Sequence, residues 1–175
     1  NMAKLTYPKT GDFPFYYEDY IKLVTEEDLM TAIKNDTAMV LDFLSSNKQA
    51  DWDFRYAEGK WTPREILLHI IDTERIMSYR ALRASRGDRT HLPGFDQTGY
   101  IENSQAAKRS LSSLVAEFKS VRNASISLFK NMTKKEAERV GYANAQQITA
   151  KSIGFVIVGH ARHHFQVLRE KYSFA

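Results

Sequence analysis

The stretch Ile153 to Arg169, IGFVIVGHARHHFQVLR, decides how this chain is read. Its apolar residues Ile153, Val156, Ile157, Val167 and Leu168 recur at helical spacing. His160 and His164 stand four apart, so on a helix they share one face, with Cβ atoms about 5–6 Å apart. By helical angle Ile153, Val156, Val167 and Leu168 fall on that same side. Two imidazoles therefore point where a core should be. A buried imidazole needs a partner, and two side by side suit a metal ion better than they suit each other. The plainer reading is one core and one boundary histidine, each bonded to a backbone carbonyl. A bare His pair leaves both readings open.

Composition bounds the rest. A chain of 175 residues, 43% hydrophobic and 26% charged, is expected to form one globular domain over 1–175 with a sizeable core. No apolar run reaches about 18 residues, so no transmembrane helix is expected. The opening Asn1-Met2-Ala3-Lys4 leads into Pro, Gly and aromatic residues rather than a signal peptide, and Asn1 is set aside as extraneous to the fold. There is no Cys, which excludes disulfides, Cys-ligated zinc and a thiol nucleophile. A cytoplasmic protein is the expectation. The net charge of +4 and pI of about 9.2 come from Lys and Arg interspersed with acids, so composition gives little support to a nucleic-acid partner.

Outward from the histidine stretch, Thr149 is placed to cap its helix, which should end near Tyr172. The clearest start signal lies earlier, in Trp61-Thr62-Pro63-Arg64-Glu65. Thr62 reads as N-cap, Pro63 as the first helical residue and Glu65 as the return half of a capping box, with Trp61 stapled onto Ile66. This second helix should run to about Ser85 and carries His69 among Ile66, Leu67, Leu68, Ile70 and Ile71. A first helix is expected from Thr25 as N-cap to about Asn47, and a third from about Ser104 to Asn131. Thr133–Arg139 reads as one short helix and Gly141–Ile148 as a polar turn. Residues 87–100, with Gly87, Pro93, Gly94 and Gly99, read as a long crossover loop. Residues 1–24 are broken by Pro8, Gly11 and Pro14 yet rich in Phe and Tyr, which predicts an aromatic strap across the bundle. Four long helices and no strand run give an all-α four-helix bundle.

Three histidines then fall on two core-facing helices: His69, His160 and His164. Three neutral imidazoles suit Zn²⁺, Ni²⁺, Fe²⁺ or Co²⁺, and three protein ligands leave a position open, as catalytic sites do. Ala161 stands where the zincin HExxH pattern has its general-base Glu, so that chemistry is not indicated.

These segments, together with Asp72-Thr73-Glu74-Arg75, Leu92-Pro93-Gly94-Phe95-Asp96 and Gly159-His160-x-x-His163-His164, resemble the DinB/YfiT-like superfamily of metal-dependent enzymes over about residues 10–172. The resemblance implies a four-helix bundle of unusual connectivity, often dimeric, and a triad made of one His from the second helix and the HxxxH pair of the fourth. Carried over, these are His69, His160 and His164, holding one divalent ion per chain. It also implies a small-molecule substrate and either hydrolysis or transfer of a low-molecular-weight thiol, since the family includes bacillithiol- and mycothiol-dependent enzymes as well as hydrolases. A homodimer is therefore expected. The YfiT branch has a second His just before the helix-two ligand, where this chain has Leu68.

Other residues carry weaker signals. His163 turns off the ligand face by about 60–100° and is a catalytic candidate from outside the ligand set or a surface residue. Asp96 could orient water or a ligand, or cap a turn. His91 is a spare ligand or a plain surface histidine. Glu74, about 140° round from His69, is better placed for an ion pair with an arginine. Arg80, Arg83, Arg86 and Arg89 recur every third residue. They form a solvated helix end or an anion-binding edge, with Arg80 and Arg83 the candidates to hold a cofactor or substrate anion. The alternative to an enzyme is a non-catalytic metal-binding or interaction protein of the same fold.

Overall fold

Local chemistry starts each long helix. Thr62 Oγ1 accepts from the Glu65 N–H at 3.2 Å while Glu65 Oε2 accepts from the Thr62 N–H at 2.9 Å, with Pro63 at the first helical position, so the capping box is complete. Thr149 caps the last helix through the Ser152 N–H. The structure is a computed structural model describing residues 4–175; the first three residues of the expected strap lie outside the described residues. In chain order its elements are α1 (Glu18–Ile21), α2 (Leu29–Ser46), α3 (Pro63–Ser85), β1 (His91–Leu92), α4 (Gln97–Ser104), α5 (Leu111–Lys130), α6 (Lys134–Ala137), β2 (Val140–Ala143), β3 (Gln146–Thr149) and α7 (Ala150–Lys171). Single 3-10 turns lie at Phe15–Tyr17 and Ala106–Lys108.

The four long helices α2, α3, α5 and α7 form the bundle. Around it α2 neighbours α5 and α7, and α3 neighbours the same two, so the sequence-adjacent α2 and α3 lie across a diagonal. The apolar core divides into two clusters. One takes Leu29 and Ile33 of α2, Met77 and Ala81 of α3, Phe129 of α5 and Ile153 to Val158 of α7. The other takes Val40 and Leu44, Leu67 and Ile71, Leu114 and Phe118, and Phe165 and Leu168. Hence α2 and α7 run from the first cluster to the second, and α3 and α5 run the opposite way. Between the clusters each helix contributes buried polar groups: Asp36 from α2, His69, Thr73 and Glu74 from α3, Arg122 from α5 and His160 from α7. That polar layer contains the site.

The strap is present and anchored. Leu5, Ile21 and Val24 are buried, Leu5 N–H donates to Asp28 Oδ1, and the Tyr7 N–H donates to the Glu27 carbonyl at 2.8 Å. Its α1 crosses α7 at Gly159, where any Cβ would overlap the Tyr20 carbonyl. α7 is buried without a break from Ala150 to Ala161.

Three local expectations are corrected. Asp28, not Thr25, caps α2, accepting from the Thr31 N–H; the strap pairs with residues 27–29, so the chain is still extended at 25. The third helix begins at Leu111 under Ser110, not at Ser104, because Gln105 sits at φ 53° and ends the separate helix α4. The crossover at 87–100 and the turn at 141–148 contain strands. β2 and β3 pair antiparallel through the two-residue loop Asn144-Ala145, and β1 joins β2 in parallel. No described helix is long and apolar enough to cross a membrane.

Candidate metal centre

α3 and α7 bring His69, His160 and His164 together. His69 Nε2 lies 3.0 Å and His164 Nε2 lies 3.1 Å from His160 Nε2. They form a three-residue group whose ligand atoms all lie within 4.8 Å of one another. Metal–nitrogen bonds of about 2.0–2.1 Å at angles from about 90° to 110° place nitrogens roughly 3.0–3.4 Å apart, so the spacing fits one shared ion. The alternative, mutual hydrogen bonding, fits poorly. A ring nitrogen offers one N–H or one lone pair in its plane, so His160 Nε2 can fully satisfy only one of its two neighbours.

Burial keeps the rings neutral, the form that ligates. Desolvation pushes the His69 pKa down to about 4 and that of His164 down to about 3, the latter helped by neighbouring histidines. His160 is driven well below the ordinary range by burial first and its three histidine neighbours second. The surrounding groups fix ring orientation. Thr73 Oγ1 faces His69 Nδ1 at 3.5 Å, one helical turn on, where the hydroxyl can accept from an Nδ1–H and leave Nε2 free. Trp61 packs on the His69 ring at 4.9 Å, so the residue before the cap also forms a wall of the site. Tyr20 of the strap meets His160 edge-on at 5.4 Å and His163 at 5.5 Å.

The other candidates are dispersed. His163 is half-buried against Tyr20 and His164 and is not one of the converging ligands. Asp96 is exposed at the start of α4, with no side-chain capping bond. His91 is exposed and stacks on Tyr142 at 4.5 Å. Glu74 pairs with Arg122, as its position on α3 implied. Arg83 is tied to Asp88 at 2.6 Å and to Tyr79, and Arg86 to Glu136. Arg89 lies on Tyr142. Arg80 is buried and lines a cavity of about 80 Å³ beside His160, with Tyr17, Met77, Phe95 and Val156 in its walls.

Sequence reasoning did not find the hairpin residue Asn144 in this cavity wall. The signal was faint. Asn144 and Ala145 both take positive φ, 49° and 60°, as a two-residue hairpin loop demands, but the usual Gly of an Asn-Gly pair is absent.

The comparisons with known proteins agree with this architecture. A sequence model of the DinB superfamily matches residues 32–168, a span that includes all three histidines. No curated protein matches the sequence. Among solved structures the chain is similar to YfiT from Bacillus subtilis, with a TM-score of 0.60 and 18% identity over 94% of this chain and 96% of that one. YfiT is described as "a probable metal-dependent hydrolase with an unusual four-helix bundle topology". At that identity the likeness establishes the fold alone, and the diagonal placement of α2 and α3 is in keeping with an unusual topology. With the family match covering most of its length, the chain belongs to the DinB superfamily.

Proposed function

We propose that the protein is a metal-dependent enzyme in which an external nucleophile, water or a small thiol, attacks a small electrophilic substrate. The observation that carries this reading is the convergence of three neutral imidazoles, two buried and one half-buried, whose ligand atoms lie within 4.8 Å of one another. His69, His160 and His164 are the ligands. A divalent ion held by three imidazoles supplies Lewis acidity to a remaining open position, which makes water or a thiol nucleophilic near neutral pH. The chain supplies the rest. Thr73 holds the His69 tautomer, Trp61 and Tyr20 wall the rings off from solvent, and burial raises the Tyr17 and Tyr20 phenols so that both remain protonated donors. No Cys is available as nucleophile, which is why the attacking group comes from outside the chain.

The test has two parts. Elemental analysis of protein purified without chelator or metal-affinity column should give one divalent ion per chain in the wild type and none in His160→Ala, with the bundle still folded by circular dichroism. Activated small esters and halides are then offered to apo and metal-restored protein, each with and without a low-molecular-weight thiol. A rate needing both metal and thiol assigns a transferase, and one needing metal alone assigns a hydrolase. Equal rates in all four arms would leave a non-catalytic metal-binding protein.

A further inference from the structure

Arg80 has an unbalanced charge. Its residue is only 6% exposed, and no carboxylate pairs with it among the described residues. The other arginines near the buried layer are matched: Arg122 with Glu74 and Asp36, Arg162 with Glu26, Arg83 with Asp88 and Arg86 with Glu136. Arg80 donates to the Pro93 carbonyl at 3.1 Å and makes a long contact of 4.0 Å to Met77 Sδ. Its guanidinium lies 5.8 Å from the Phe95 ring centre. A guanidinium has five N–H donors, and a buried ion without a counter-ion is costly. The chain tolerates that cost at a cavity wall, and His160 forms another part of the same wall.

We propose that Arg80 is the anchor for a carboxylate on the substrate or cosubstrate whose reacting end lies at the histidine centre. The inference rests on the metal-dependent reading above and adds the ligand's chemical class. The planar fork of a guanidinium matches a carboxylate through two parallel N–H···O bonds. One positive charge balances one carboxylate. The wall shared with Arg80 and His160 is mixed, with Met77 and Val156 to pack on a short hydrocarbon spacer and Thr73, Tyr17 and Asn144 as polar neighbours. The cavity of about 80 Å³ is about half the size of an engineered apolar cavity of roughly 150 Å³ that takes up benzene. The enclosed part of the ligand is therefore a carboxylate with a few carbons, and anything larger must extend out past the strap.

The probe is sodium propionate, titrated calorimetrically into metal-loaded protein and into chelator-stripped protein, against the neutral isostere propionamide. Propionate should bind the wild type, and propionamide should bind roughly ten- to a hundredfold more weakly. Arg80→Gln should lose a similar factor for propionate while keeping its metal content, and Arg80→Lys should recover part of it. Equal propionate affinity in wild type and Arg80→Gln would overturn the proposal, because the anion would then be on the metal or elsewhere. Failure of propionate to bind, or propionamide binding as well as propionate, would overturn it too. If Arg80→Gln does not fold, the comparison of the two probes on chelator-stripped wild type still decides, and loss of the propionate preference there would overturn the proposal. Wild type that binds propionate but no metal would break the metal-centre reading and leave the carboxylate anchor standing.

Discussion

The polar layer between the two apolar clusters contains two centres, one drawing on all four long helices and one on α3 and α7 alone, and they are opposites. On one side Arg122, fully buried, donates from Nε and Nη2 to Glu74 at 2.8 and 3.0 Å and from Nη1 to Asp36 at 2.8 Å and Thr37 at 3.1 Å. Arg162 closes the network from α7, reaching Glu26 at 2.7 Å and Asp36 Oδ1 at 3.6 Å. The attraction of the carboxylates holds Arg122 charged against its burial, while burial pushes the Asp36 carboxyl up. On the other side three neutral imidazoles face one another. The first centre pairs its charges internally and leaves Asp36 Oδ1 without a hydrogen bond, 3.6 Å from Arg162 Nε. The second brings three ring nitrogens together, an arrangement that a shared cation would satisfy. Buried polarity that closes on itself is architecture, and buried polarity that converges on a gap is a binding site.

That contrast can be broken by substitution. Arg122→Ala should have the largest effect, since it leaves buried Glu74 without a counter-charge and Asp36 with only the 3.6 Å contact to Arg162. Breaking a buried pair from one side costs about 3–5 kcal/mol, and urea unfolding should show a loss of that order. Loss of metal content beyond what unfolding explains would mean the two centres are coupled rather than separate. Thr73→Val tests the other side. Removing the group that orients a ligand histidine typically weakens metal affinity about 10–100-fold, with little change in unfolding free energy. Competition with a chromophoric chelator measures it, and an unchanged affinity would show that packing alone sets the His69 tautomer.

The smallest effect concerns the rim of the charge network. Arg162 and Asn35 hold the Glu26 carboxyl down to about 2 from 4.5, the Arg162 hydrogen bonds outweighing its partial burial. A depressed folded-state pKa adds stability above the unfolded value and loses it as pH falls through the folded one. The Glu26 contribution should thus be complete above about pH 5 and disappear between pH 4.5 and about 2. Chemical denaturation across that window should show a shallower decline in Glu26→Gln than in wild type.

How much of this was legible in the sequence follows from where information is local. The capping box at Thr62 and Glu65, the helical period of the apolar residues and the spacing of His160 and His164 are local, and each gave the element it implied. The pairing of His69 with the α7 histidines needed the resemblance as well, because nothing in a single helix says which neighbour it faces. The strap's pairing with residues 27–29 moved the start of α2 from Thr25 to Asp28. A capping preference cannot anticipate a backbone partner from 23 residues away. The hairpin β2–β3 was missed because its turn lacks glycine and its strands are only four residues each. Arg80 was one of four evenly spaced arginines, and only the fold separates this buried one from Arg83 and Arg86, which pair with carboxylates, and from Arg89, which lies on Tyr142.

Gly159 has a consequence for which sequence changes this protein can accept. Its missing side chain is the space occupied by the Tyr20 carbonyl, and the next residue in the chain is a ligand. A single methyl group there lifts the strap from α7 and withdraws Tyr20 from His160 and His163, and with it Tyr16 and Tyr17, neighbours of Arg80 in the cavity wall. One hydrogen atom thus ties the N-terminal strap to the chemistry of the last helix. Position 159 can drift only together with the strap, and the two form a unit of inheritance separated by some 140 residues of intervening sequence.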